Sequence, residues 1–245
     1  MKSKGDEWFR SWFDSPYYHL LYQHRDESEA QSFLQRLVRR IVLPKGSFII
    51  DLGCGKGRHS VSLHQLGFNV LGVDLSAESI AIARQKEEEG LRFDVQDMRD
   101  FRAPQPADCI MNLFTSFGYF ENESENNRVL ERVCETLVPG GYFIIDYFNS
   151  EMVQRCDGDS KEITIQDIRF SMNKRIENNR VIKTIDVADG SETYHFEEKV
   201  QLFKKDQLSQ MLIAHDLEPI ATFGDYNLNP FETNVSDRLI IIARK

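Results

Sequence analysis

Residues 49 to 60, Ile-Ile-Asp-Leu-Gly-Cys-Gly-Lys-Gly-Arg-His-Ser, are the stretch whose types and spacing speak most directly of chemistry. An apolar run ends in Asp51, and Gly53, Gly55 and Gly57 follow at alternate positions. Glycines so placed remove side chains where a backbone must turn sharply and lie against a ligand. The amphipathic segment after them offers the free N–H groups of a helix start. A nucleotide-like cofactor is expected over this loop. The dinucleotide fingerprint would require a third glycine at position 58, which is Arg58, so the pattern is Asp-x-Gly-x-Gly-x-Gly instead. A second landmark agrees: residues 69 to 76, Asn-Val-Leu-Gly-Val-Asp-Leu-Ser, read as a buried strand ending in Asp74, spaced as an acid that meets a ribose diol.

These residues resemble the class I S-adenosylmethionine (SAM)-dependent methyltransferases, whose first motif reads as Asp51 to Gly57 and whose ribose-binding acid matches Asp74. SAM has no pyrophosphate to set against a helix, which makes Arg58 tolerable. Residues 91 to 101 resemble the family's third-strand segment, 109 to 120 the fourth-strand motif, and 137 to 149 the Pro-Gly-Gly turn and fifth strand. The resemblance implies SAM as cofactor, with Asp51, Gly53, Cys54, Gly55, Gly57, Asp74, Leu75 and Asn112 around it. It also implies that Asp97 accepts from the adenine amino group while the Met98 backbone meets the ring. Cys54 reads as a small packing residue of the loop rather than a nucleophile. In similar methyltransferases the N-terminal region folds over SAM, and Tyr22 and Arg25 are the candidates for its methionine carboxylate; Arg25 on a solvated helix face is the plainer reading.

Positioning these groups calls for an α/β fold. Residues 48 to 147 alternate short β-branched runs with helical-period segments, as in a parallel sheet flanked by helices. Helices are expected over 76 to 90, with Ser76 as N-cap, and over 123 to 137. The resemblance implies a Rossmann-like, mostly parallel seven-stranded sheet with helices on both faces, closed by a late antiparallel strand at Leu-Ile-Ile-Ile-Ala-Arg-Lys. Residues 160 to 203 break the alternation and read as three strands joined at Asn178-Asn179 and Asp189-Gly190. One domain of 245 residues follows: an aromatic N-terminal helical lid (1–45), a cofactor core (46–150), a small antiparallel β insertion (158–204) and a C-terminal helix with closing strands (205–245). The insertion covers the substrate or, in the plainer alternative, extends the sheet or mediates a dimer.

The formal charge of −9 has no Lys/Arg stripe set against it, which disfavours nucleic acid as a partner. The segment Asn112-Leu113-Phe114-Thr115 also departs from the Asn/Asp-Pro-Pro-Tyr/Phe of nucleic-acid amino-methyltransferases. The four cysteines form no Cys-x-x-Cys pair and suit reduced thiols in a cytoplasm, with no metal expected. No signal peptide or membrane span is expected. The chain is expected to act as a monomer or homodimer.

Methyl transfer from a sulfonium has an activated leaving group, so orientation and water exclusion are the chief demands and an explicit base is optional. His195, His19 and Tyr119 are the candidate catalytic groups; surface histidines are the plainer reading for the first two. Tyr119, Phe120, Tyr147 and Phe148 are expected to form an aromatic wall for a cation, or to be core. The expected acceptor is a small molecule or peptide, nitrogen favoured over oxygen. The alternatives are an aminopropyl transferase and a SAM-binding or sensing protein without catalysis.

Overall fold

The computed structural model describes residues 8–22 and 27–245, so the expectation at Arg25 lies outside the described residues. Seven strands form the main sheet: β1 (Phe48–Leu52), β2 (Asn69–Asp74), β3 (Leu91–Val95), β4 (Ala107–Asn112), β5 (Leu137–Phe148), β10 (Glu218–Phe223) and β11 (Arg238–Arg244). Their order is β10-β11-β5-β4-β1-β2-β3, with β1 to β5 parallel and β11 antiparallel between β10 and β5. The expected architecture is therefore present. The strand order reverses beside β1, between β2 and β4, so the carboxyl ends of these three strands flank the crevice where ligands of such sheets sit.

Strands buried on both faces need apolar residues at every position, and β1 supplies them apart from Asp51. Ile49, Val70, Met111 and Ile240 face one way, against Phe33, Leu34 and Leu37 of α3 (Glu27–Ile41), Leu63 of α4 (Arg58–Gln65) and Ile80 of α5 (Ala77–Arg84). Ile50, Leu71, Ile110 and Ile241 face the other way, against Val129 and Val133 of α6 (Glu123–Thr136) and Leu208 and Leu212 of the helix Lys205–Ile213.

Two element boundaries differ from the sequence reading. The helix after Ser76, whose hydroxyl does cap it by accepting from the Ser79 amide at 3.0 Å, stops at Arg84 and not at Gly90. Three glutamates at 87 to 89 would sit on the negative end of the helix dipole. They turn instead, and Glu87 accepts from the Phe93 amide at 2.8 Å. The insertion has four strands rather than three: β6 (Ser160–Ile165), β7 (Ile168–Glu177), β8 (Arg180–Asp189) and β9 (Glu192–Gln201), paired in that order. Gln166 and Asp167 adopt left-handed backbone angles and make a tight turn without the glycine or asparagine that would have announced it. Asn178 and Asn179, also left-handed, make the expected one.

The aromatic N-terminus is wedged between the two sheets. Phe9 of α1 (Trp8–Phe13) packs into the main core beside Phe117 and Phe120. Trp12, fully buried, packs into the inserted sheet with Phe170, Met172, Ile185 and Phe196. A following turn of helix, α2 (Pro16–Leu21), has Ser15 as its cap.

Gly72 of β2 shows how close the layers come: a Cβ there would lie 2.5 Å from the Phe93 ring and 2.9 Å from Cys54 Sγ. Overpacking of this kind costs about 1–3 kcal/mol, so Gly72→Ala is expected to lower the melting temperature by about 5 °C. A melt coincident with wild type would show that the layers yield there.

Candidate active site

The glycine loop is stitched to the end of β2. Gly53 and Cys54 donate their amides to the Val73 carbonyl at 2.7 and 3.0 Å, and the Gly55 amide donates to Asp74 Oδ2 at 2.8 Å. Asp74 Oδ1 accepts from the Ser76 amide at 2.9 Å, so each oxygen keeps a lone pair for a hydroxyl donor. Burial raises the Asp74 carboxyl above its ordinary range, against the pull of these amides. All three glycines have positive φ, but their reasons differ. A Cβ on Gly53 would lie 2.7 Å from Ser116, on the loop after β4. One on Gly57 would lie 2.5 Å from the Phe93 ring, which makes Gly57 a packing glycine at a helix start, outside the cavity. Arg58 lays its guanidinium 4.9 Å from the centre of the Phe114 ring.

Two other expected site residues also stand behind the loop. Asp51 is buried and accepts from Ser60 Oγ at 2.6 Å. Burial, opposed by the Ser60 hydrogen bond and assisted by Asp74, pushes its carboxyl up to about 6. Asn112, fully buried, donates from its amide to the Leu52 carbonyl at 2.9 Å and so ties β4 to the end of β1. Neither lines the cavity, because the strand ends that carry them are roofed by the loops they support.

A pair absent from the sequence reading organises the other side. Asp146 of β5 is buried, and both its oxygens are used: Arg238 Nε donates to Oδ1 at 2.8 Å and the Phe114 amide to Oδ2 at 2.8 Å. The Thr115 amide donates to the Asp146 carbonyl at 2.9 Å, and Arg238 reaches Thr115 Oγ1 at 3.0 Å. Phe114 and Thr115 both sit in the left-handed region, a strain of about 1–3 kcal/mol each that persists only where neighbours over-determine it. The signal was an acid inside the apolar run Ile-Ile-Asp-Tyr-Phe and an arginine opening the last strand.

Between these walls lies a cavity of about 730 Å³, within the range of small-molecule sites. Gly53, Cys54, Gly55, Asp74 and Leu75 line one end, with Asp97 and Met98 beside them. Burial works to raise the Asp97 carboxyl, but hydrogen bonds from Arg99, at 2.6 and 3.0 Å, outweigh it and leave it below the usual range. Burial also pushes the Cys54 thiol well up, away from the thiolate form that a nucleophile needs. Trp8, Phe13 and Tyr119 meet edge-on or tilted, centroids 5.4 to 5.7 Å apart, and with Phe120 and Phe148 line the middle of the cavity. Tyr147 does not join that wall: it is buried in the core with its hydroxyl donating to the Gln201 carbonyl. His19 lines the cavity, its pKa lowered by burial and then by Lys56, which keeps the ring neutral. His195 lies elsewhere, exposed on β9 and paired with Asp186 at 2.7 Å on the neighbouring strand. Tyr22 lines the cavity, but its proton goes to Glu198 at 2.7 Å. Among the described residues no cluster could hold a metal, and no helix is long and apolar enough to cross a membrane.

The profile of the methyltransferase domain matches residues 43–211, well over half of the chain. The chain belongs to the methyltransferase domain family. It is 31% identical over 123 residues to a dTDP-3-amino-3,6-dideoxy-alpha-D-glucopyranose N,N-dimethyltransferase of Streptomyces fradiae, covering 50% of this chain and 46% of that one. It is 24% identical over 209 residues to the cypemycin N-terminal methyltransferase of a Streptomyces species, covering 82% and 84%. For most such curated relatives the chain spans about half their length. In shape this methyltransferase domain is similar to the CcbJ methyltransferase of Streptomyces caelestis, with a TM-score of 0.81 over 98% of both chains at 17% identity, a likeness of fold.

Two predictions follow from the buried acids of this methyltransferase domain. Arg238→Ala strands the Asp146 carboxylate, and about 3–5 kcal/mol of stability should be lost, partly restored by adding Asp146→Asn; chemical denaturation of the four proteins checks it. Asp51 binds its proton more tightly folded than unfolded, so between its unfolded value of 3.8 and about 6 its contribution to stability falls as pH rises. The melting temperature of Asp51→Asn relative to wild type should therefore grow more favourable from pH 4 to pH 7, by the equivalent of about 2–3 kcal/mol. A difference flat with pH would rule out the raised carboxyl.

Proposed function

We propose that this chain is a SAM-dependent methyltransferase that methylates nitrogen of a small molecule or peptide. The observation that carries the reading is the continuity of one cavity from the Gly53, Gly55 and Asp74 end to the aromatic middle formed by Trp8, Phe13 and Tyr119. The donor set fits SAM. Asp74 has acceptor capacity for the ribose hydroxyls, the glycine loop admits a backbone approach, Asp97 and Met98 line the same cavity and are assigned to adenine on this reading, and ring faces suit a sulfonium. When bound, SAM supplies a methyl group on an activated leaving group.

The work left to the protein is orientation and exclusion of water. The α1 rings close the cavity over the acceptor side, and Tyr119 is held in place by donating its hydroxyl to the Thr115 carbonyl. An amine acceptor must shed a proton before it attacks, and His19, which lines the cavity with burial favouring its neutral form, is the candidate to take it. Nitrogen is supported by the relatives, among them the amino-sugar and cypemycin enzymes named above and a glycopeptide N-methyltransferase of similar fold. The chain works as one methyltransferase domain in which the described residues of the N-terminal segment, 8–22 and 27–45, together with 158–204 cover a core of 46–150, completed by 205–245. Four unpaired cysteines fit a cytoplasmic location.

S-adenosylhomocysteine should raise the melting temperature, whereas NAD and decarboxylated SAM should not. Asp74→Ala should weaken SAM and S-adenosylhomocysteine together by about 2–3 kcal/mol, roughly 30- to 150-fold, through loss of two charge-assisted hydrogen bonds. Calorimetric affinities equal to wild type would remove Asp74 from the cofactor site, and stabilisation by NAD alone would overturn the cofactor.

A further inference from the structure

The cavity face of the inserted sheet carries a row of three charged side chains. Lys174 on β7 is the register partner of Lys183 on β8, and Lys183 is the register partner of Glu198 on β9, so the three lie side by side across the strands. All three line the cavity. The rows on either side are apolar: Met172, Ile185 and Phe196 toward Trp12, and Ile176, Val181 and Val200 in the other direction. An apolar residue in the middle row would continue the face, so folding alone does not call for charge there.

Like charges directly opposite each other in an antiparallel pair destabilise the sheet. One of the two lysines is compensated. Lys183 Nζ lies 3.7 Å from Glu198 Oε2 and donates to the Tyr22 hydroxyl at 2.6 Å, while Glu198 Oε1 accepts from Trp12 Nε1 at 2.8 Å and from Tyr22. No carboxylate among the described residues pairs with Lys174. The row thus carries one positive charge in excess, in a chain of net charge −9, and presents it to a cavity with apolar flanks that strengthen its field.

We propose that the methyl acceptor carries an anionic group, a carboxylate or a phosphate, held between Lys174 and Lys183. This rests on the methyltransferase reading and adds the acceptor's chemical class to it. Lys174 supplies the charge that the anion neutralises. Glu198, fixed by Trp12 and Tyr22, keeps Lys183 oriented and repels an acceptor that bears its anion on the wrong side.

Calorimetry on the full chain saturated with S-adenosylhomocysteine tests this with inorganic pyrophosphate and succinate as probes, at constant ionic strength set with potassium chloride. At least one probe should bind wild type; pyrophosphate alone would name a phosphate source and succinate alone a carboxylate source. Lys174→Gln should weaken that binding about tenfold while S-adenosylhomocysteine affinity stays within twofold, and Lys174→Arg should retain it. Without any anion, Lys174→Gln should also melt about 1–2 °C higher, because the opposed charge is gone. Neither probe binding, or equal binding by wild type and Lys174→Gln, overturns the acceptor assignment alone. Failure of wild type to bind S-adenosylhomocysteine overturns the methyltransferase reading and the assignment with it.

Discussion

The ion pair between buried Asp146 and half-buried Arg238 is the interaction on which the rest of the site depends. An ion pair taken out of water is a poor source of net stability, since desolvation offsets most of the attraction. Its value here is geometric. Asp146 spends its side chain and carbonyl on Arg238 and on the amides of Phe114 and Thr115, which fixes two residues in backbone conformations they would otherwise avoid. That loop sets Ser116 against Gly53, stacks Phe114 between His59 and Tyr226, and places Tyr119 among the rings of α1. The glycine loop and the aromatic wall are thereby registered to each other through one carboxylate.

The N-terminal helices and the inserted sheet solve a shared problem. Neither has enough apolar surface to fold alone, since six-residue helices are marginal and a four-stranded sheet with one polar face needs a cover. Trp12 fills that need for the sheet, and its indole N–H, which cannot be buried unpaired, finds Glu198. Phe9, three residues earlier, anchors the same helix to the main core. At the end of α1, Asp14 accepts from the Ser76 hydroxyl at 2.5 Å, beside Asp74. The same short helices therefore cover the inserted sheet and wall the cavity.

Legibility in the sequence followed the range of the interactions involved. The alternation of strand and helix, the glycine loop, Asp74 and the placement of the insertion all rest on local patterns, and each stands where the residues implied. Proximity in sequence does not tell which residues of the motif face the cavity. Asp51, Gly57 and Asn112 belong to the loop's motif or to its neighbouring strand, yet they support it from behind. His195, a candidate base in the sequence, is turned by strand alternation to the face opposite Glu198. Asp146, Arg238, Lys183 and Glu198 take their meaning from partners distant in sequence: Asp146 and Arg238 are 92 positions apart, and Tyr22 stands 161 positions from Lys183 and 176 from Glu198.

The position of β11 in the sheet has a consequence for how the chain acquires its site. It comes last among the strands in sequence, yet it occupies an interior slot between β10 and β5 and carries Arg238. During synthesis β5 is made long before its neighbour, so Asp146 spends that interval as an unneutralised acid on a raw sheet edge. Such a charge discourages premature pairing with another chain. An inward charge of this kind works against edge-to-edge pairing, and the same carboxylate anchors the cavity once it meets the arginine of the last strand.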